Sequence, residues 1–261
     1  MQAHLVQFDI RWEDKPANHA AVEALLSTAK INAGDLIVLP EMFDTGFSFN
    51  VDATADRDGG TLAFLIGLAE RTGATVHGSR TVLGEDGRGR NMATITRASS
   101  DGTGAGLLCE YAKIHPFSLG RPSEAEWFSS GERVCTYPWG GATVCPAICY
   151  DLRFPELFRR GLLAGADVFA IGSNWPSTRE FHRRTLSIAR AIENQAFVLS
   201  VNRCGRDPML EYPGGTLAVS PRGEVLGEMD GSEGVLSVEI DLDDLRRWRS
   251  VFPAWKDHRL L

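Results

Sequence analysis

The 261-residue chain has no uncharged run approaching the ~18 residues of a membrane helix, and no basic segment followed by an apolar one at its start. Neither a membrane span nor a secretory leader is expected. Asn-X-Ser/Thr triplets are absent, and 27 Lys and Arg against 34 Asp and Glu leave a net charge of −7 without a long basic run. The electrostatic footprint of a nucleic-acid binder is missing. Three catalytic signatures are also absent: the Gly-X-Ser-X-Gly elbow, the Gly-X-X-X-X-Gly-Lys-Ser/Thr phosphate loop and the His-Glu-X-X-His zinc motif. With no composition shift, low-complexity linker or short repeat, one domain spanning 1–261 is expected. Hydrophobic residues at 43% are enough for a full core. Five cysteines, Cys109, Cys135, Cys145, Cys149 and Cys204, cannot all pair internally, which points to a reducing cytoplasm as the setting.

What is present is a rhythm of buried strands and helices. Strands are expected at 3–8, 35–39, 75–83, 92–97, 107–112, 134–137, 142–148, 167–171 and 196–201. Helices are expected from Asp14-Lys15-Pro16, over 61–71, from Pro155, over 178–194 and over 242–249. Glycines at Gly102, Gly104 and Gly106 suit a turn between two hairpin strands. Runs such as Asp35-Leu36-Ile37-Val38-Leu39 read as strands buried on both faces, and the several hairpins make the sheets mixed. In layered α/β folds, ligands bind beyond the carboxyl ends of strands. Glu41, Lys113 and Cys149 each stand at such an end.

These three side chains suit acyl transfer. A thiol of ordinary pKa is mostly protonated at neutral pH and needs a base or a cation. Glu41 is a candidate base, and Lys113 with the backbone N–H of Tyr150 is a candidate partner for an oxyanion. The reaction implied is amide hydrolysis through a thioester. Each residue also has an ordinary reading: Cys149 as a small core hydrophobe, Glu41 as a surface or capping residue, Lys113 as a solvated cation. His115 is an alternative base, and Cys145 with Cys149 and His115 is a weak zinc pattern without a second cysteine pair. No metal or cofactor is expected.

Three segments, Leu39-Pro40-Glu41-Met42-Phe43, Tyr111-Ala112-Lys113-Ile114-His115-Pro116-Phe117 and Cys149-Tyr150-Asp151-Leu152-Arg153-Phe154-Pro155-Glu156, resemble in order and separation the nitrilase superfamily of carbon–nitrogen hydrolases. Ser173-Asn174-Trp175-Pro176 with Ala189-Arg190-Ala191-Ile192-Glu193-Asn194-Gln195-Ala196 resembles the omega-amidase branch. The resemblance implies an α-β-β-α sandwich with mixed sheets, a subunit that pairs into a homodimer, and a Glu–Lys–Cys triad on Glu41, Lys113 and Cys149. It adds a second glutamate between lysine and cysteine, assigned to Glu124 with Glu126 in competition. Pro116 departs from the family's leucine.

An omega-amidase acts on the terminal amide of 2-oxoglutaramate or a similar short dicarboxylic monoamide. Alternatives are a deaminated-glutathione amidase, an N-carbamoyl amide hydrolase and a catalytically idle interaction protein. Arg153 is a candidate for gripping the distal carboxylate, or else an ion-pair partner of Asp151 or Glu156. Phe43, Phe47, Phe117 and Trp175 are candidate pocket walls or core residues, and the backbone near Asn174 and Trp175 is expected to border the site. The other four cysteines are read as packing.

Overall fold

The computed structural model describes residues 1–99, 104–120 and 122–259. Its first half forms β1 (Gln2–Gln7), α1 (Lys15–Leu26), β2 (Leu36–Val38), α2 (Val51–Thr54), α3 (Gly60–Thr72), β3 (Thr75–Leu83), β4 (Gly89–Ala98) and β5 (Ala105–Ala112). Next come α4 (Glu124–Trp127), β6 (Tyr137–Trp139), β7 (Ala142–Ile148), a 3-10 turn over Cys149–Arg153, α5 (Pro155–Leu163), β8 (Val168–Ser173), α6 (Glu180–Asn194) and β9 (Phe197–Asn202). The chain ends with β10 (Cys204–Arg206), β11 (Glu211–Pro213), β12 (Leu217–Val219), β13 (Val225–Glu228), β14 (Gly234–Glu239) and α7 (Leu242–Val251).

Two six-stranded sheets result, ordered β14-β1-β2-β3-β4-β5 and β13-β12-β9-β8-β7-β6. In each, three neighbouring strands are parallel, β1-β2-β3 and β7-β8-β9, and the flanking pairs are antiparallel. The continuous apolar runs follow from what lies on their two faces. Leu5, Leu36, Val38 and Ile95 face the other sheet and share one core with Val144, Ile148, Val168 and Val201. Val6, Ile37 and Val76 point the opposite way and pack with Val22 and Leu26 of α1 and Leu65 and Leu68 of α3. On the second sheet α5 closes in because Gly161 leaves room for Phe169 and Cys145, which a Cβ would meet at 2.7 and 2.8 Å. Helix, sheet, sheet and helix are therefore stacked as layers, as the resemblance implied.

Local chemistry sets the element ends. The Asp14 side chain accepts a hydrogen bond from Ala17 N (3.1 Å) with Pro16 in the first turn, which starts α1. The strand expected at 134–137 is corrected to Tyr137–Trp139. Gly140 and Gly141, both at positive φ, form the two-residue turn of a tight hairpin, so pairing with β7 runs outward from Trp139↔Ala142 and stops at Tyr137↔Val144. The glycine-rich turn lies between antiparallel β4 and β5, where Ser99 N donates to Gly104 O; Gly102 lies outside the described residues. No helix among the described residues is long and apolar enough to cross a membrane.

The fold delivers its chemistry to one end of the sandwich. Glu41 follows β2, Lys113 follows β5 and Cys149 follows β7. The backbone beyond β2 comes close to the second sheet there: a Cβ on Gly172 of β8 would stand 2.8 Å from Leu39 O and 2.9 Å from Glu41 N. Gly172→Ala must therefore push back the backbone that carries Glu41. Denaturant unfolding should show a loss of about 1–3 kcal/mol, accompanied by a fall in amide turnover; an unchanged midpoint would mean that the two sheets do not meet this tightly.

Candidate active site

Four side chains from four segments converge. Lys113 Nζ lies 2.7 Å from Glu41 Oε1 and 2.8 Å from Glu124 Oε2, and all three side chains are buried. Asn91, at the start of β4, ties the carboxylates together by donating to Glu41 Oε1 (2.7 Å) and Glu124 Oε1 (2.9 Å). The second oxygen of each carboxylate accepts from backbone, Glu41 Oε2 from Asn174 N (2.9 Å) and Glu124 Oε2 from Phe117 N (2.6 Å). Glu126, by contrast, is exposed and is bonded to Ser123, so Glu124 is the glutamate beside Lys113.

The Cys149 thiol completes the cluster. Cys149 has φ +45°, in the left-handed region that L residues seldom occupy, and Met42, directly after Glu41, has φ +44°. Such strain persists only where the surroundings over-determine it. Here Asp151, two residues on, is the brace: its fully buried carboxylate accepts from Ile148 N (3.0 Å), Tyr111 Oη (2.8 Å), His115 N (3.0 Å) and the His115 ring (2.8 Å). From the other side Arg190 of α6 donates twice to Leu152 O. The turn that presents the sulfur is thus anchored to β5, β7 and α6 together.

The electrostatics follow from two carboxylates and one ammonium shut away from water. Burial pushes the Cys149 thiol well above its usual pKa, the adjacent Glu41 carboxylate adds to the rise, and the Lys113 ammonium offsets part of it. Burial also raises Glu124, against the pull of Lys113. For Lys113 itself burial works against the charge, yet Glu124 and Glu41 outweigh it and hold the pKa above the ordinary lysine value. The resting cluster is therefore a protonated thiol beside a permanent cation.

A pocket opens over the sulfur, lined by Phe47, Phe117, Tyr150, Arg153, Trp175 and Arg179, with Asn174, Pro176 and Leu210 completing it. Of the expected substrate-side residues, Tyr150, Arg153, Phe117, Asn174 and Trp175 all reach it. Phe43 does not: it is fully buried in the layer between sheet and helix, stacked near His19 and Phe64, because Met42 at positive φ turns the chain away after Glu41. Arg153 pairs with neither Asp151 nor Glu156. Its guanidinium rests on Trp175 (4.7 Å) and Tyr150 (5.8 Å) and touches His182 (3.4 Å). His115 is committed to Asp151 and stacked on Phe154 at 3.7 Å, which removes it as a base for the thiol. Among the described residues no group of three His, Cys, Asp or Glu side chains could hold a metal ion. A larger cavity of about 660 Å³, near Trp248 and Phe252, contains none of the four converging residues.

Sequence reasoning missed Asn91, Arg179 and the bracing role of Asp151. Asn91 stands just before the strand expected at 92–97 and nothing marked it there, since only the structure extends β4 back over it; Arg179 carried no signal either, being one arginine among many.

With a buried Glu–Lys–Glu cluster, a strained cysteine and an α-β-β-α frame in place, the comparisons fall into line. The carbon–nitrogen hydrolase family model matches residues 2–250, so the chain belongs to that family. It is 34% identical over 258 residues to the 2-oxoglutaramate amidase of Bacillus subtilis (strain 168), covering 97% of this chain and 96% of the relative. Omega-amidase YafV of Escherichia coli (strain K12) is 31% identical over 255 residues, with 97% and 94% covered. Among solved structures, XC1258 from Xanthomonas campestris, a CN-hydrolase superfamily protein with an arsenic adduct in its active site, superposes with a TM-score of 0.88 at 34% identity, covering 100% of this chain and 98% of its own. The protein is an amide-hydrolysing enzyme of the nitrilase superfamily.

Proposed function

We propose that the enzyme is an omega-amidase, hydrolysing the terminal amide of 2-oxoglutaramate or a similar short dicarboxylic monoamide to the carboxylate and ammonia. The observation that carries this reading is a pair of arginines at the pocket: Arg153 rests on aromatic faces and Arg179 lies 5.4 Å over Phe117, and neither meets a carboxylate among the described residues. Guanidinium groups left unpaired beside a buried thiol suit an anionic group at the far end of the substrate. The names of the Bacillus and Escherichia relatives agree with this.

In the proposed reaction Glu41 takes the Cys149 proton as sulfur attacks the amide carbon. Lys113 and the Tyr150 N–H stabilise the oxyanion. Glu41 returns the proton to the departing amine, ammonia leaves, and a thioester remains on Cys149. Glu41 then draws a proton from water, hydroxide adds to the thioester, and collapse regenerates the thiol. Glu124 and Asn91 keep Lys113 and Glu41 in position.

The test compares ammonia release from 2-oxoglutaramate, succinamate and glutamine with turnover of an N-carbamoyl amino acid. The keto and plain dicarboxylic monoamides should lead in kcat/KM; faster turnover of glutamine or of the carbamoyl compound would overturn the assignment. In Arg179→Ala, loss of a charged hydrogen bond worth roughly 1.5–3 kcal/mol should raise KM for 2-oxoglutaramate about 10- to 100-fold. Turnover of an uncharged short amide should stay the same; an unchanged KM would remove Arg179 from the carboxylate site.

A further inference from the structure

Outside the pocket two thiols stand side by side. Cys109 of β5 and Cys135, in the irregular segment between α4 and β6, have their sulfurs 3.4 Å apart, and both residues are partly exposed. A disulfide requires about 2.05 Å between sulfurs, so closure needs an approach of little more than an ångström. The neighbourhood permits it. β5 is the edge strand of its sheet and its register with β4 slips between Ile95↔Cys109 and Thr96↔Leu107, so the strand is irregular at Cys109; Cys135 lies outside any strand.

We propose that Cys109 and Cys135 form a reversible dithiol–disulfide couple, oxidised by low-molecular-weight disulfides, that staples the segment carrying Lys113 and Glu124. The crosslink would close a loop from 109 to 135. Inside it lie Lys113, Phe117 and Glu124, whose contacts in the site depend on how this segment is held. Its far end is held by the bond from Gly131 N to Lys113 O, one residue past β5 (2.8 Å), and by the weak contact of Cys135 Sγ with Glu110 O of β5 (3.6 Å).

The exchange balances in two steps. Cys109 thiolate attacks one sulfur of the small disulfide and expels one thiolate; Cys135, losing its proton to solvent, attacks the Cys109 sulfur of the mixed disulfide and expels the second. Two electrons leave the protein, and the oxidant becomes two thiols. Either sulfur can donate to the other across the 3.4 Å contact, so a thiolate formed at one is held by its neighbour; the attack is written from Cys109, whose pKa the hydrogen bond with Cys135 lowers against burial and the Glu110 carboxylate. Three other cysteines are poorer participants. Cys145 is fully buried and packed against α5, and burial raises the Cys145, Cys149 and Cys204 thiols.

The full-length protein is incubated with oxidised glutathione, digested without reduction and analysed by mass spectrometry. A Cys109–Cys135 crosslinked peptide is expected, with the intact mass falling by two hydrogens and returning on addition of dithiothreitol. The thermal midpoint should rise by about 5–10 °C on oxidation, as loop closure restricts the unfolded chain. Cys135→Ser should keep its ammonia release under reducing conditions yet show neither crosslink nor midpoint shift. Stable glutathione adducts without the crosslink, or a bridge involving Cys145, would overturn the proposal.

Discussion

Replacing Cys149 by alanine is expected to lower ammonia release from 2-oxoglutaramate by about 10⁴-fold or more, the scale seen when a covalent nucleophile is removed. Cys149→Ser should fare little better, because an alcohol is far harder to ionise and the environment already disfavours a negative charge at this position. The effect should be chemical rather than structural. The turn around residue 149 is held by Asp151 and Arg190, which neither substitution touches. Unfolding midpoints should therefore stay close to the parent's. Rapid acid quench of the parent enzyme under saturating substrate should trap an acyl group on Cys149 alone. Undiminished turnover in either variant, or an adduct on Cys109 or Cys204, would sink the thioester route.

The second large effect is expected at Lys113. Loss of the ammonium removes the only cation in direct contact with Glu41 and Glu124 among the described residues, and kcat should fall about 10²- to 10³-fold if that charge meets the oxyanion. Two buried carboxylates would be left without their counter-ion, a situation that commonly costs about 3–5 kcal/mol, so the midpoint of Lys113→Ala must be measured beside its rate. Alkylation of Cys149 by iodoacetamide separates charge from fold. Lys113 is the influence that lowers the thiol pKa and Glu41 one that raises it. Removing Lys113 should move the alkylation profile to higher pH, so that labelling slows at a fixed pH. Glu41→Gln should move the profile the opposite way, to lower pH, while hydrolysis should fall with loss of the proposed base. A folded Lys113→Ala protein with near-normal kcat would strike Lys113 from the reaction, and parallel shifts in the two variants would contradict the electrostatics of the cluster.

The opposed shifts matter for how the sulfur is activated. A thiol raised by burial and by a neighbouring carboxylate is not stored as a thiolate ready to react with any electrophile. In the proposed reaction it loses its proton to Glu41 as the bond to carbon forms, which would confine its reactivity to substrates that fill the pocket. Cys149 is buried, whereas Cys109 and Cys135 are partly exposed.

The layered α/β class was legible in the chain because short runs such as 36–39 and 144–148 are apolar on successive residues, as a strand covered on both faces requires. Turn chemistry was legible in the same way, and it failed where two determinants competed: Val134 and Cys135 look like strand residues, but the Gly140-Gly141 turn fixes the hairpin from the other end. Glu41, Lys113 and Cys149 could be singled out because each follows an apolar run, and strand ends are where a layered fold exposes side chains. The sequence by itself determined these three positions, the strand-and-helix layering and the family.

Only the tertiary structure decided between Glu124 and Glu126, brought Asn91 between two carboxylates, removed Phe43 from the pocket and placed Arg179 beside Arg153. Each of these depends on where a loop lands after crossing from one sheet to the other. Glu124 and Glu126 share one short helix and differ in which side of it faces Lys113. Phe43 is two residues from Glu41, yet the positive φ at Met42 sends it into the opposite layer. Residue type and spacing record how a chain makes its elements. They do not record the angles at the turns between them, and at those turns the depth of a carboxylate or the company of an arginine is settled.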